Sequence, residues 1–176
     1  MPFSLPIAID AMGGDKTPES VVNGARMVLK DFPDVRFVFY GRESVVRPLI
    51  QKHPGFERVC EIAHTDDIVA MHEKPSIALR QGKKSSMRLS IEAVKNGTAC
   101  AVVSAGNTGA LLAMAKTVLK TLPGIHRPAL TATVPSQKEP VVLLDMGANI
   151  DCTSDYLVQF AMMGDAYARA MLGIDY

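Results

Sequence analysis

Short apolar runs alternate along this chain with stretches whose apolar residues recur every three or four positions, the signature of strand–helix–strand units. Residues 6–12 (PIAIDAM) read as a short buried strand. Thr17 then offers a helix cap with Pro18 at the first helical position. Val21, Val22, Ala25, Val28, Leu29 and Phe32 line one face of that helix, with Asn23, Arg26 and Lys30 opposite. Residues 35–41 form a second strand, 43–53 a second helix closed by Pro54-Gly55, and 57–64 a third strand. The pattern predicts βαβαβ, the opening of a doubly wound parallel sheet.

Residues 65–88 are less regular and more polar. Helical spacing resumes at Met87, Ile91 and Val94 and stops at Asn96-Gly97. A strand over 98–103 leads into Ser104, and Leu111, Leu112, Ala115, Val118, Leu119 and Leu122 make one face of the next helix. Strands at 129–134 and 141–145 flank a polar turn of six residues, which predicts an antiparallel hairpin within the otherwise parallel pattern. From about Ser154 a last helix gathers Tyr156, Leu157, Phe160, Ala161, Gly164, Tyr167, Ala168, Met171 and Leu172 on one face. So broad an apolar face needs more to pack against. The expectation is that residues 1–176 are the N-terminal part of a longer α/β protein.

Composition narrows the class without naming a chemistry. With 48% hydrophobic and 21% charged residues the chain belongs with folded rather than disordered proteins. A formal net charge of +1 gives no overall basic footprint for nucleic acid. Three irregularly spaced cysteines make no disulfide framework and no zinc motif, and point to a reducing, cytoplasmic setting. No apolar run approaches the roughly 20 residues that span a bilayer, which leaves a soluble protein free to touch a membrane peripherally. The four histidines lack metal-ligand spacing, and Cys60 and Cys100 read as buried, inert strand thiols. Cys152, nearer the turn at residues 145–149, is the one cysteine left as a candidate nucleophile.

The chemistry concentrates in three turns, each at the carboxyl end of an expected strand: Asp10-Ala11-Met12-Gly13-Gly14-Asp15, Ser104-Ala105-Gly106-Asn107-Thr108-Gly109 and Asp145-Met146-Gly147-Ala148-Asn149. Open parallel sheets bind ligands at that end. Backbone N–H groups at a helix start suit a phosphate or oxyanion, and the Ser104 turn is the best such cradle. A plain helix cap is the alternative there, and a tight turn beside a helix dipole is the alternative at Asp10. Neither a Walker loop nor GxGxxG occurs, so a nucleotide has little support. Asp10, Asp15 and Asp145 together would suit magnesium, yet nothing in their spacing requires it; the expectation is no metal and no cofactor. Lys83, Lys84 and Arg88, with Ser85 and Ser86, form the one basic cluster, fit for a phosphate, an acidic partner or plain solvent. Arg127 adds a planar donor fork.

These residues in this order resemble one family. Asp10 to Asp15, Lys83-Lys84-Ser85-Ser86-Met87, Ser104 to Ala110, Arg127-Pro128 and Asp145 to Asn149 together are similar to the bacterial phosphate acyltransferases of phospholipid synthesis. The resemblance runs the length of the chain, and family members continue well beyond it. It implies a three-layer open α/β fold with a mostly parallel sheet and helices on both faces, like isocitrate and isopropylmalate dehydrogenases and phosphotransacetylases. It implies transfer of a fatty acyl group from acyl carrier protein to inorganic phosphate, without a cofactor. It further implies a homodimer, and a membrane glycerol-3-phosphate acyltransferase that consumes the acyl phosphate.

The residue chemistry agrees with that reaction. Phosphate is a competent nucleophile, so the protein needs to hold it near the thioester carbonyl and stabilise an oxyanion rather than supply a triad. On this reading Asn107, Lys83, Asp145 and Asn149 take catalytic duties. Asp10, Gly13, Gly14, Ser85, Ser104, Gly106, Thr108, Gly109 and Arg127 bind or frame phosphate and substrate, Asp10 by orienting its neighbours. The rivals are a phosphotransacetylase acting on acetyl-CoA, an actin-like ATPase, and a non-catalytic lobe that binds a carrier protein. The ATPase is disfavoured by the helix, rather than a hairpin, expected after the first turn.

Overall fold

The computed structural model describes residues 5–149 and 151–174. The chain divides into two compact units, one reaching to Lys120 and one from Thr121 onward.

The first unit is an open α/β fold. β1 (Ile7–Asp10), β2 (Phe37–Gly41), β3 (Cys60–His64) and β4 (Ala101–Ser104) form one parallel sheet in the order β3-β2-β1-β4. The alternation of side chains across a strand decides what each face holds. Ile9, Phe37 and Phe39 face α1 (Glu19–Val28) and α2 (Glu43–Gln51), where they pack with Val22, Ala25, Val46, Ile50 and Phe56. The rings of Phe37, Phe39 and Phe56 stand 6.2–6.4 Å apart in tilted and edge-on pairs, arrangements that aromatic quadrupoles favour. Ala8 and Tyr40 face the other way, against Ala93 and Val94 of α4 (Ser86–Lys95). A further cluster joins α3 (Pro75–Gln81), α4 and α5 (Thr108–Leu119) through Ala78, Met87, Ile91, Ala110, Met114 and Val118.

This order has a functional consequence. The chain moves outward from β1 through β2 to β3, then returns to place β4 on the opposite side of β1. The gap between the carboxyl ends of β1 and β4 is therefore the topological switch point, the place where such sheets leave room for a ligand. Two of the glycine turns lie there.

In the second unit β5 (Thr131–Val134) and β6 (Val141–Leu144) form the expected antiparallel hairpin, but as a two-stranded sheet of their own. α6 (Ser154–Tyr167) continues into a π-helical turn at Ala168–Leu172. It packs closely on β6, since a Cβ on Gly164 would stand 2.9 Å from Leu144 Cδ1. Only Phe160 is buried in α6, while Leu157 and Met162 are exposed. On the apolar face read from periodicity, Leu157, Ala161 and Met171 are exposed, and Tyr156, Gly164, Tyr167, Ala168 and Leu172 are half-buried.

Several local expectations need correction. Thr17 does not cap α1: its hydroxyl donates to the Gly14 carbonyl (2.8 Å), and Pro18 stands at the cap position, joined to Thr17 by a cis peptide bond. The first half of the expected 57–64 strand is a 3-10 turn, Phe56–Val59. The irregular stretch contains α3, begun by Pro75. Its seven residues are too few for a periodic signal. Cys100 lies outside β4 and is exposed, not a buried strand thiol.

Cys60 does lie in a strand, β3, but is half-buried rather than buried. Burial, helped by the nearby Glu57 carboxylate, pushes its thiol up to about 12. Alkylation by iodoacetamide at pH 8 is thus expected to modify exposed Cys100 and Cys152 and to spare Cys60 in the folded protein, as peptide mass mapping would read. The raised value means that the folded state holds this proton more tightly than the unfolded chain. The associated stability is intact below about pH 8.5, the free thiol's range, and is lost as pH rises toward 12.

Candidate functional site

The register of the sheet assembles the first part of the site. Asp10 and Ser104 are direct partners at the ends of β1 and β4, so their side chains leave the same face. Asp10 is completely buried. Its Oδ2 accepts from the Ser104 hydroxyl at 2.7 Å and its Oδ1 from the Ser86 hydroxyl at 2.6 Å, with the Met12 N–H more distant at 3.3 Å. Ser104 Oγ in turn accepts from the Gly106 N–H at 3.1 Å. One carboxyl group thus ties β1, the start of α4 and the turn after β4. Ser86 is the partner that sequence reading missed, grouping it instead with the basic cluster. Its 76-residue separation from Asp10 leaves no local signal.

The glycines of the two turns serve packing as much as access. A Cβ on Gly13 would stand 2.2 Å from Asp10 Oδ2 and 3.0 Å from Gly106 Cα. Gly14, at φ +116°, would place one 2.8 Å from the Ala105 carbonyl oxygen. The first turn therefore lies backbone-to-backbone on the second, a contact open only to glycine. Gly109 lies equally close to Pro75, with 2.8 Å from a Cβ to the ring.

Asn107 caps α5: its Oδ1 accepts from the Ala110 N–H at 3.0 Å. Its Nδ2 faces the carbonyls of Met71 (2.9 Å), Glu73 (2.8 Å) and, more loosely, Ala70 (3.3 Å). Both ends of the amide are thus committed within the protein. The Thr108 and Gly109 N–H groups are different. They lie in the first turn of α5, where no intrahelical acceptor exists, and have no partner among the described residues. Both residues are exposed, so these N–H groups and the Thr108 hydroxyl stand at a solvent-facing helix start.

Ser85 is buried and caps α4, donating to the Gly82 carbonyl (2.7 Å) and accepting from the Arg88 N–H (3.3 Å). Thr65 donates to the Lys84 carbonyl at 2.6 Å, and the Ser86 N–H binds the Asp67 carbonyl. The backbone of this basic loop is anchored while the Lys83 and Lys84 side chains are exposed and form no ion pair among the described residues. Arg88 is paired with Glu92 at 2.7 Å, which leaves the two lysines as the available charge. His64 has a structural use, its Nδ1 accepting from the Glu43 N–H at the start of α2.

The second unit carries its own constellation. Asp145 adopts a left-handed φ of 64° after β6. Its carboxyl oxygens accept from the Asn149 N–H and Nδ2, both at 3.1 Å. Asn149 Oδ1 accepts from Arg127 Nη1 at 2.9 Å, and the Arg127 guanidinium carbon lies 5.4 Å from the centroid of the Tyr156 ring. Cys152 Sγ is 3.9 Å from Asp145 Oδ2, a long contact. Among the described residues no cluster of three or more His, Cys, Asp or Glu side chains could hold a metal ion.

The sequence profile of a family described as "Fatty acid synthesis protein" matches residues 5–176. The chain belongs to that family. A phosphate acyltransferase of Paramagnetospirillum magneticum is 51% identical over 99% of this chain and 50% of its own length. One from Rhodospirillum centenum is 54% identical over 96% of this chain and 47% of its own, and one from Rhodospirillum rubrum 50% identical over 99% and 50%. The chain spans about half the length of the curated relatives it matches. For this member of the fatty acid synthesis protein family, the buried turn contact gives a direct test. Gly13→Ala is expected to destabilise by about 1–3 kcal/mol, because neither Asp10 nor the Gly106 backbone has room to yield. Gly24→Ala, on an open face of α1 with nothing within 4 Å, is expected to stabilise by about 0.5–1 kcal/mol. Urea unfolding of the two variants beside the parent reads both signs.

Proposed function

We propose that this chain supplies part of a phosphate acyltransferase, which moves a fatty acyl group from acyl carrier protein to inorganic phosphate. The observation that carries the reading is the start of α5, where two unpartnered N–H groups and a hydroxyl occur at the switch point of the sheet. Family membership and the names of the relatives support it. In this reading the Ser104–Gly109 turn holds phosphate or the developing oxyanion. A phosphate oxygen attacks the thioester carbonyl carbon, the new C–O bond forms, and the C–S bond breaks with sulfur leaving as thiolate. Positioning and charge stabilisation suffice.

The candidate residues then divide by how free they are. Thr108 and Gly109 contact the anion, framed by Gly106; Lys83 adds charge from an anchored loop. Asp10, Ser104, Gly13, Gly14, Ser85 and Asn107 hold the turn and its supports in place. In the second unit Arg127 is an anion ligand and Asn149 and Asp145 direct it. The larger fold is that of the dehydrogenase-like and phosphotransacetylase-like α/β proteins. A homodimer, a cytoplasmic location with peripheral membrane contact, and a glycerol-3-phosphate acyltransferase that uses the acyl phosphate complete the proposal. No helix among the described residues is long and apolar enough to cross a membrane.

The decisive assay is phosphate-dependent release of free carrier protein from a long-chain acyl thioester by the full-length protein. Activity on acetyl-CoA alone would instead make it a phosphotransacetylase, and binding of carrier protein without turnover would make it a docking lobe. Within that assay Thr108→Pro is expected to raise the phosphate KM about tenfold or more. Proline fits the first position of a helix but lacks the N–H, and a hydrogen bond to a charged group is worth about 1.5–3 kcal/mol. Thr108→Ala, which keeps the N–H, isolates the hydroxyl's share. Lys84→Glu is expected to raise the KM for carrier protein several-fold at low salt and progressively less as salt screens the charge. A salt response equal to that of the parent would remove Lys84 from docking.

A further inference from the structure

We infer that Tyr156 is a positioning residue for the Arg127 guanidinium, holding its donor edge ready for a tetrahedral oxyanion of the phosphate class. This rests on the reading of Arg127 as an anion ligand. Arg127 is exposed, yet it is held from two directions. Asn149 Oδ1 takes Nη1 in the guanidinium plane and so limits rotation within that plane. The Tyr156 ring lies 5.4 Å from the central carbon, within the range of cation–π attraction, and so limits tilt of the plane.

Both partners are electrically neutral. Among the described residues Arg127 has no salt bridge, so its charge is oriented without being neutralised. A carboxylate partner would instead occupy the donor fork that recognises phosphate. Here the nearest carboxyl in the network, Asp145, acts through Asn149. It takes the Asn149 N–H and Nδ2, which leaves that side chain's oxygen facing Arg127. Tyr156 stands in the first turn of α6, where its N–H meets the Thr153 cap, so the ring starts from a fixed backbone. The helical periodicity that marked Tyr156 as a core residue carried no hint of this contact.

The test uses the full-length enzyme and the assay above. Tyr156→Leu, which removes the aromatic face but keeps bulk, is expected to raise the phosphate KM about two- to fivefold, the range of an exposed cation–π contact. The kcat and the carrier-protein KM are expected to stay at the parent's values. Tyr156→Phe, which keeps the face, is expected to keep the phosphate KM of the parent, and Tyr156→Met provides a second non-aromatic variant should Leu not fold. In an Arg127→Ala background Tyr156→Leu is expected to add nothing. An unchanged phosphate KM in the non-aromatic variants, with Arg127→Ala raising it, would overturn the role of Tyr156 and leave the anion role of Arg127 standing. An unchanged phosphate KM in Arg127→Ala would overturn both.

Discussion

A fully buried carboxyl group between two serine hydroxyls is the constraint on which the first unit depends. Asp10 cannot reach water, and a buried polar group left unpaired costs about 1–3 kcal/mol. Its partners must therefore arrive with the fold: Ser104 through parallel register and Ser86 through the seating of α4 against β1. Satisfying Asp10 fixes where α4 begins and where the chain turns after β4. The two elements that frame the proposed anion site are thus set by one interaction deep beneath it. The glycine pair above closes the arrangement, because only bare backbone fits over the carboxyl.

Support and exposure are separated along the same few residues. Ser85, Ser86, Ser104 and Asn107 look like a generous supply of ligand-binding groups, but their polar atoms are turned inward onto caps, carbonyls and one another. What remains for solvent is backbone, the Thr108 hydroxyl and two lysine side chains. Such a division suits a reaction whose nucleophile needs no activation by a protein side chain. The electrostatic groups can then be rigid, small and held in place by a buried polar network.

Much of the fold was legible because parallel strands and amphipathic helices write strong periodicities. The six strands and the longer helices among the described residues fall where the spacing places them, to within a few residues. α3 and the turn at Phe56–Val59 escaped because one or two turns carry no clear period, and Thr17 misled because a hydroxyl before a proline has a competing carbonyl within reach. The candidate site was legible as a set of turns, since glycine, serine and asparagine after buried strands mark strand ends. Which of those polar atoms stay free was not legible. That depends on contacts such as Asn107 with residues 70–73 and Ser86 with Asp10, which sequence neighbours do not encode.

Asn107 bears on motion as well as on shape. Its amide joins the first turn of α5 to the carbonyls of a loop more than thirty residues earlier, so neither can shift far while the other stays. Local opening in this region should therefore be cooperative, releasing the loop and the helix start in one event rather than fraying either separately. A site built on such a coupled pair would respond to ligand as a single unit: an anion that quiets the start of α5 would also quiet residues 70–73, far along the chain from that helix.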